Sequence, residues 1–285
     1  MEVGGYLLPF AWPCLRRGIH LCLRRPTGFL RAVWGGCPMN YLGFLSFRGT
    51  DFYGFERQTE RRSIQGEVEK VLTKVCGEKI KIHGAGRTDA GVHALSYGFS
   101  FSTASELDKE KLLYAVNRLL PPDILLKSLE EKPASFDGRH SISGKVYLYR
   151  FSYGRKDPFQ VGLLTQLGRP DFDACAFKEC LSCFVGTHDF RNLTTKKEDK
   201  DGFVRTIEKI DVEVDAETKT GSAVFHGLHF MTYQVRLMMG LAFQCAYHQK
   251  DPKEVLSLME RRPRKILSYK ASADGLYLKE VFYGR

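Results

Sequence analysis

Residues 84–94 gather the side chains best suited to chemistry, in the order Gly-Ala-Gly-Arg-Thr-Asp-Ala-Gly-Val-His-Ala. The glycines let the backbone turn sharply and approach a ligand closely. Between them stand a cation, a hydroxyl and one carboxylate, which belong to Arg87, Thr88 and Asp89. Apolar runs typical of strands flank the loop on both sides. Because a loop between two strands is held by a rigid scaffold, Asp89 is a candidate for a positioned reactive group.

The loop fits the common glycine-rich motifs poorly. A dinucleotide-binding motif needs a third glycine, three residues after the second, and then a helix. Asp89 stands at that position, and the next segment alternates like a strand. A phosphate-binding loop needs Gly-Lys-Ser/Thr, and no such run follows. The composition alone is equally compatible with a tight turn in which the aspartate accepts hydrogen bonds from backbone amides.

The charge balance points weakly to an acidic partner. The net charge is +10, which favours a nucleic acid or a membrane surface. Residues 1–38 hold five arginines and one acid, so residues 39–285 carry only +6. No apolar run approaches the ~18 residues that a membrane span needs, and we therefore expect no membrane association.

Residues 1–38 differ from the rest of the chain. They contain four prolines and no serine, whereas a mitochondrial presequence is serine-rich and forms an amphipathic helix. Met39 directly precedes the first credible strand. We expect translation to start at Met39 and the protein to be cytoplasmic. If residues 1–38 are a genuine presequence, the location is mitochondrial instead.

The cysteines suggest reduced thiols. The eight cysteines form no framework of close pairs, as expected of an intracellular protein. Cys175, Cys180 and Cys183, with His188 nearby, have spacing that resembles a zinc site. The same residues fit an amphipathic helix in which cysteine is an ordinary small buried residue, and we prefer that interpretation. The sequence therefore predicts no metal site.

Periodicity predicts a chain of mixed helices and strands. Helices are predicted over residues 64–76, 108–120, 173–184 and about 236–248, and a further helix opens at Pro252. Strands are predicted over residues 41–48, 79–83, 95–101, 124–130, 145–153, 204–215 and 222–230, with a last strand near the C-terminus.

The run Gly86-Arg87-Thr88-Asp89-Ala90-Gly91-Val92-His93-Ala94 resembles the signature of TruA-type tRNA pseudouridine synthases. Further stretches from residue 41 to residue 283 resemble motifs of this family, in family order: Tyr53-Gly54-Phe55 with Arg57-Gln58, Asn117-x-x-Leu120-Pro121, Phe136-Asp137-Gly138-Arg139, Gly186-x-x-Asp189-Phe190, Val235-Arg236-x-x-x-Gly240 and Gly275-Leu276-Tyr277-Leu278.

Two positions depart from the family pattern. Phe55 stands where a tryptophan is usual, which keeps a flat apolar face. Ser96-Tyr97 replaces a Gly-Gln pair that follows the signature. We expect an RNA contact made by that glutamine to be lost or to be replaced by Tyr97.

The resemblance implies an α+β fold of two ferredoxin-like (RRM-like) halves, whose antiparallel sheets join across a central cleft holding Asp89. The halves would span residues 39–150 and 151–285. It also implies a homodimer that converts uridine to pseudouridine at positions 38, 39 or 40 in the anticodon stem-loop of tRNA, without a cofactor.

The resemblance also assigns roles to residues. Asp89 would be the catalytic aspartate, Arg236 its ion-pair partner, and Tyr147 the tyrosine that lies against the target uracil. Leu276 would line the uracil pocket. An arginine beside a carboxylate lowers the carboxylate pKa, so we expect Arg236 to keep Asp89 ionised.

The remaining candidates are basic residues that face the RNA. Arg87 would fill the gap left by the flipped nucleotide or hold that nucleotide. Arg48, Arg57 and Arg139 would bind phosphates. The hydroxyl of Tyr147 is a candidate to receive the proton that leaves uracil C5.

Two other functions compete with this one. A catalytically silent RNA-binding protein of the same fold is the main alternative, although the joint presence of Asp89, Tyr147 and Arg236 argues against it. An unrelated aspartate-dependent hydrolase would need a second carboxylate or a metal cluster near the loop, and the sequence offers neither there.

Overall fold

The computed structural model describes residues 39–104, 108–198, 202–260, 264 and 269–284. Residues 1–38 lie outside the described residues, and so do the expectations about them, including the expected translation start. Met39 is the first residue of the first strand.

Within those ranges the chain forms a mixed α+β fold, as predicted. The strands are β1 (Met39–Phe47), β2 (His83–Gly84), β3 (His93–Thr103), β4 (Ile124–Lys132), β5 (Ile142–Ser152), β6 (Thr165–Gln166), β7 (Gly186–Asp189), β8 (Val204–Ile207), β9 (Lys209–Asp215), β10 (Thr220–Gly227) and β11 (Leu276–Tyr283). The α-helices are α1 (Ile64–Cys76), α2 (Lys109–Leu119), α3 (Ala174–Ser182), α4 (Gln234–Ala246) and α5 (Val255–Glu260).

One large sheet runs through the molecule in the order β4-β1-β3-β11-β5-β10-β9. Its neighbours are antiparallel except at one point, where β11 pairs in parallel with β3 through Tyr277 and Leu278. The two-residue strand β6 pairs in parallel with β5, at one end of that strand. On its other side β11 is antiparallel to β5. The last strand of the described chain therefore lies in the middle of the sheet.

The helix boundaries follow from local capping signals. The Ser63 side chain accepts a hydrogen bond from the Gly66 amide at the start of α1, and Gly77 ends the helix in the left-handed conformation with φ 72°. Asp108 and Asp173 cap α2 and α3 in the same way as Ser63 caps α1. Serine and aspartate are preferred N-caps and glycine the preferred left-handed C-cap, so these predicted helices are confirmed.

Two hydrophobic clusters cover the sheet. One cluster is built from β1, β3, α1 and α2 and also takes Leu278 and Val281 of β11. The other is built from β5, β10, α3 and α4. The alternation of β5 puts Tyr149 and Phe151 into this second cluster, where both are fully buried, while Tyr147 is only partly buried and packs against both clusters.

Several predicted strands are wrong in extent. The predicted strand over residues 204–215 is two strands, since β8 pairs with β7 in a separate two-stranded sheet and β9 pairs with β10. The break falls at Glu208, whose backbone amide donates to His226 O. The strand predicted over residues 79–83 reduces to His83–Gly84, and the one predicted to end at residue 230 ends at Gly227.

The five cysteines in the described ranges are all free thiols. Cys180 is buried on α3 and Cys175 is exposed, as expected of an amphipathic helix. No group of three or more potential metal ligands occurs among the described residues. No helix in these residues is both long and apolar enough to cross a membrane.

Candidate active site

The loop that carries Asp89 connects β2 to β3 and is packed against the turn that follows β1. The Gly91 amide donates to Phe52 O at 3.2 Å. At Gly54, with φ 90°, an added Cβ would lie 2.4 Å from Thr88 O, so only glycine fits there. Two segments that resemble family motifs are thus in direct contact, and the first fixes the path of the second.

His93 holds the far end of the loop. Its Nδ1 accepts a hydrogen bond from the Gly49 amide at 3.1 Å, and its ring stacks on Tyr277 of β11 at 4.4 Å. The ring is almost fully buried, and burial is the main cause that lowers the pKa of His93. A neutral imidazole accepting through Nδ1 is therefore a structural link between β1, β3 and β11.

Tyr97 lies in the core beneath the loop, and its burial fits loss of the glutamine's RNA contact better than replacement of that contact by Tyr97. Its side chain is completely buried and stacks on Phe55 at 4.1 Å. The hydroxyl donates to Gly86 O and accepts from the Gly86 amide, the latter at 3.2 Å. The register of β3 explains this, because Tyr97 pairs with Leu45 on the core side of the sheet.

Arg236 and Asp89 form the predicted ion pair across 147 residues of chain. Arg236 Nη1 lies 3.2 Å from Asp89 Oδ2, and the two side chains are 11% and 25% exposed. Arg236 is the one residue of α4 that is not buried, and its Nε donates to Ala271 O at 2.8 Å. The guanidinium is thereby fixed from two sides and orients the carboxylate.

Arg236 lowers the pKa of Asp89, as expected, but burial has the larger effect. Burial raises the pKa of Asp89 above its ordinary value, and the charges of Arg236 and Lys270 only partly oppose this. Desolvation penalises the charged form of a carboxyl group, and here it exceeds the effect of the two cations. The site therefore holds a carboxylate that is less solvated than an ordinary surface aspartate.

Tyr147 lies on β5, beside the ion pair. Its ring meets Phe230 edge to face, with 5.0 Å between the ring centres. Burial, and to a smaller extent the charge of Asp89, raises the pKa of Tyr147 well above its ordinary value. The phenol is therefore neutral at physiological pH and can donate a hydrogen bond.

A cavity of about 730 Å³ opens in front of these three residues, within the range of roughly 300–1,000 Å³ typical of small-molecule sites. Its walls come from the Asp89 loop, from β5, from the segment leading into α4 and from the start of β11. Leu276 supplies an apolar side chain to the wall, and Arg87 and Arg139 lie at its edge among the lining residues.

The predicted basic residues are dispersed. Arg87 is 77% exposed and pairs with Glu56 at 2.7 Å. Arg57 pairs with the buried carboxylate of Glu69 and is not part of the cavity wall. Arg48 is likewise outside the cavity wall and pairs with the neighbouring Asp51 at 3.3 Å. The structure thus brings Arg87 and Arg139 to the site and leaves Arg57 and Arg48 away from it.

Sequence reasoning missed Lys145. This lysine lies two residues before Tyr147 on the same side of β5 and lines the cavity. Its Nζ donates to Ala85 O at 3.0 Å. Strand alternation placed Lys145 on the Tyr147 side, but it gave no indication that the Asp89 loop crosses above it.

Comparison with known proteins agrees with these motifs. The family model described as tRNA pseudouridine synthase matches residues 44–140 and 181–284, which include Asp89 and Arg236, while Tyr147 falls between the matched segments. Curated relatives are each named tRNA pseudouridine synthase A. The protein from Streptococcus gordonii is 34% identical over 245 residues, covering 85% of this chain and 98% of that protein. The one from Aquifex aeolicus is 34% identical over 246 residues, covering 85% and 98%. The one from Staphylococcus saprophyticus is 31% identical over 246 residues, covering 86% and 91%. The chain belongs to the tRNA pseudouridine synthase family.

Proposed function

We propose that this protein isomerises uridine to pseudouridine in tRNA, at positions 38, 39 or 40 of the anticodon stem-loop, with Asp89 as the catalytic residue. The observation that carries the proposal is the Asp89 carboxylate, held 3.2 Å from Arg236 in the wall of a cavity of about 730 Å³. Membership of the tRNA pseudouridine synthase family supports the reaction and the substrate.

The reaction needs one anionic group beside the sugar. The N1–C1′ bond breaks with its electron pair on the uracil, the base turns, and C5 bonds to C1′. The C5 proton is then lost and N1 takes up a proton, so atoms and electrons balance without a cofactor. The Asp89 carboxylate would either attack C1′ or stabilise the cationic sugar. Its partial desolvation strengthens either interaction, because a poorly hydrated carboxylate needs less reorganisation.

The other residues of the site would bind and orient the base. Tyr147 would stack on the uracil, and its neutral hydroxyl would lie within reach of the C5 proton. Leu276 would contact the base from β11. Arg87 would fill the space left in the RNA by the flipped nucleotide, which costs a few kcal/mol to extrude. The exposure of Arg87 supports this role, because among the described residues its guanidinium pairs with a single carboxylate, that of Glu56, at the surface. Arg57 and Arg139 would bind phosphates.

We further propose that residues 39–150 and 151–285 form two ferredoxin-like halves and that the protein acts as a cytoplasmic homodimer, with one tRNA touching both subunits. The two hydrophobic clusters, one largely in each half, support the division. The described cysteines are free thiols, which supports a reducing compartment. Light scattering at several protein concentrations would test the dimer.

Carbodiimide mapping of pseudouridine tests the activity. Unmodified tRNAs would be incubated with purified protein, with Asp89→Ala and with Asp89→Asn, which keeps the side-chain shape. We expect new reverse-transcription stops at positions 38–40 with the wild-type protein and no stops with either variant. Tight tRNA binding without any modification would instead support the catalytically silent RNA-binding protein. Stops that persist with Asp89→Ala would refute the assignment of the catalytic residue.

A further inference from the structure

Lys145 is a cation inside the cavity whose charge no neighbouring carboxylate balances. Among the residues that the structure describes, no carboxylate oxygen lies within 4.0 Å of its Nζ. Its hydrogen-bond acceptor is the carbonyl oxygen of Ala85, at 3.0 Å. A largely desolvated ammonium group without a counter-ion is unfavourable, which suggests that an anion joins it when substrate binds.

A second cation lines the same cavity. Arg139 lines the same wall as Lys145, and its described hydrogen bond is made by its backbone amide, to Asp137. The Asp137 carboxylate is itself bound to the His140 ring at 2.9 Å. The Arg139 guanidinium therefore has no carboxylate partner among the described residues, and both cations face the cavity.

The other titratable groups around Lys145 do not compensate its charge. Tyr147, on the same side of β5, is a neutral phenol, and Asp89 is bound to Arg236. The strand neighbours of Lys145 are Gly227 on β10 and Val281 on β11, which carry no charge. Burial and the nearby Arg139 charge lower the pKa of Lys145 to about 8, so the ammonium is close to losing its proton in the free protein.

We propose that Lys145 and Arg139 bind a backbone phosphate next to the target uridine, and that Lys145 links this phosphate to the catalytic loop. The inference rests on the proposed function, since it takes RNA to be the ligand. Two adjacent like charges fit an anionic oxygen cluster better than the neutral carbonyl groups of a base. An ammonium group has three donors, so Lys145 keeps two for phosphate oxygens while one holds Ala85.

The link to the loop follows from chain position. Ala85 lies four residues before Asp89, and a side chain at Gly86 would meet Lys145 Nζ at 3.0 Å. A phosphate bound by Lys145 would thus contact the same ammonium group that donates to Ala85 O in the Asp89 loop. Lys145 is a positioning residue in this scheme: correct seating of the RNA backbone and correct placement of the carboxylate depend on one side chain.

The test combines protein and RNA variants. Dissociation constants would be measured between pH 6.5 and 9.5 for wild type, Lys145→Met, Lys145→Arg and the control Lys127→Met, on an unmodified anticodon stem-loop RNA. Lys127 Nζ also donates to a backbone carbonyl, Leu95 O at 3.1 Å, but on an exposed part of β4 outside the cavity wall. Parallel RNAs would carry one uncharged methylphosphonate, either 5′ or 3′ of the target uridine.

We expect binding by the wild type to weaken about tenfold per pH unit above pH 8, because the phosphate then binds only after Lys145 takes up a proton. Lys145→Arg should remove this pH dependence, since arginine stays charged, and Lys127→Met should keep it. One of the two methylphosphonates should weaken wild-type binding about tenfold and should have no further effect in Lys145→Met. The position that shows this coupling identifies the phosphate.

The proposal is overturned if neither methylphosphonate is coupled to Lys145, or if Lys145→Arg keeps the wild-type pH dependence. If Lys145→Met fails to fold in a thermal melt, the arginine variant still decides the matter. Pseudouridine formation by the wild type on the same stem-loop is scored separately. Its absence would reject the proposed function, whereas the phosphate coupling is read from binding alone.

Discussion

Tyr97→Phe isolates the hydroxyl group that holds the loop carrying Asp89. The ring of Tyr97 is completely buried against Phe55, and phenylalanine preserves that packing. The variant loses the hydrogen bond donated to Gly86 O and leaves the Gly86 amide without its hydroxyl acceptor. A neutral hydrogen bond contributes about 1 kcal/mol and a buried unsatisfied amide costs about 1–3 kcal/mol. We therefore expect unfolding free energy to fall by about 2–4 kcal/mol, which lowers Tm by roughly 4–8 °C in a protein of this size.

The same variant should slow catalysis without weakening RNA binding. Gly86 lies three residues before Asp89, so a loosened loop misplaces the carboxylate. A misplacement worth about 1.4 kcal/mol in the transition state lowers the rate about tenfold. The assay is single-turnover release of tritium from uracil C5 in labelled tRNA, with the dissociation constant measured on the same RNA. We expect the rate to fall at least tenfold and the dissociation constant to change less than about threefold.

Tyr153→Phe is the matched control. Its hydroxyl donates to a backbone carbonyl, Asp215 O at 2.9 Å, in the other hydrophobic cluster and away from the cavity wall. This control should lose about 1 kcal/mol of stability and keep the wild-type rate. If Tyr97→Phe keeps its Tm and its rate but binds tRNA tenfold more weakly, Tyr97 contacts RNA and the role assigned to its hydroxyl is refuted.

Three further perturbations test the site and its support. Arg236→Met should lower the single-turnover rate by a hundredfold or more. It should also move the acid limb of the pH–rate profile to higher pH, because the charge that opposes the burial-induced rise in the Asp89 pKa is lost. Arg236→Lys should bring the acid limb back towards its wild-type position, and an acid limb that does not move in Arg236→Met would contradict the pairing of Arg236 with Asp89. In the wild type the rate should fall on acidification with a midpoint above the ordinary aspartate value near 3.9, since protonation removes the reactive carboxylate. Tyr147→Phe should slow tritium release about tenfold with unchanged RNA affinity, whereas full activity would exclude the hydroxyl from proton transfer. Gly240→Ala should lower the free energy of unfolding by roughly 3 kcal/mol in urea, because the new Cβ would lie 1.7 Å from Tyr269 O. A variant as stable as the wild type would show that the backbone at Tyr269 can move aside at little cost.

Local chemistry made part of this structure predictable from sequence. Ser63 and Gly77 marked both ends of α1 because capping depends on one or two neighbouring residues. A guanidinium among apolar residues must find an anion, and the family resemblance implied that Asp89 is the anion that pairs with Arg236. Neither argument needs the three-dimensional arrangement of the sheet.

Features that depend on the sheet were not predictable. Residues 204–215 contain no glycine or proline, and only the partner strands show that β8 and β9 belong to different sheets. The sequence left open whether Tyr97 contacts RNA, because its register against β1 was unknown. The sign of the Asp89 pKa shift depends on the depth of burial, which a sequence motif does not contain. Lys145 acquired its role from a loop 60 residues away.

The position of β11 has a consequence for the order in which the enzyme is completed. In the described sheet β3 and β5 are joined through β11 and not to each other. A ribosome synthesises residues 276–283 last among the described strands, at about 5–20 residues per second. A nascent chain that ends before Leu276 already contains Asp89, Tyr147 and Arg236. It lacks the strand that joins β3, which follows the Asp89 loop, to β5, which carries Tyr147. We therefore expect the site to stay incomplete until β11 has been made and has paired with both strands.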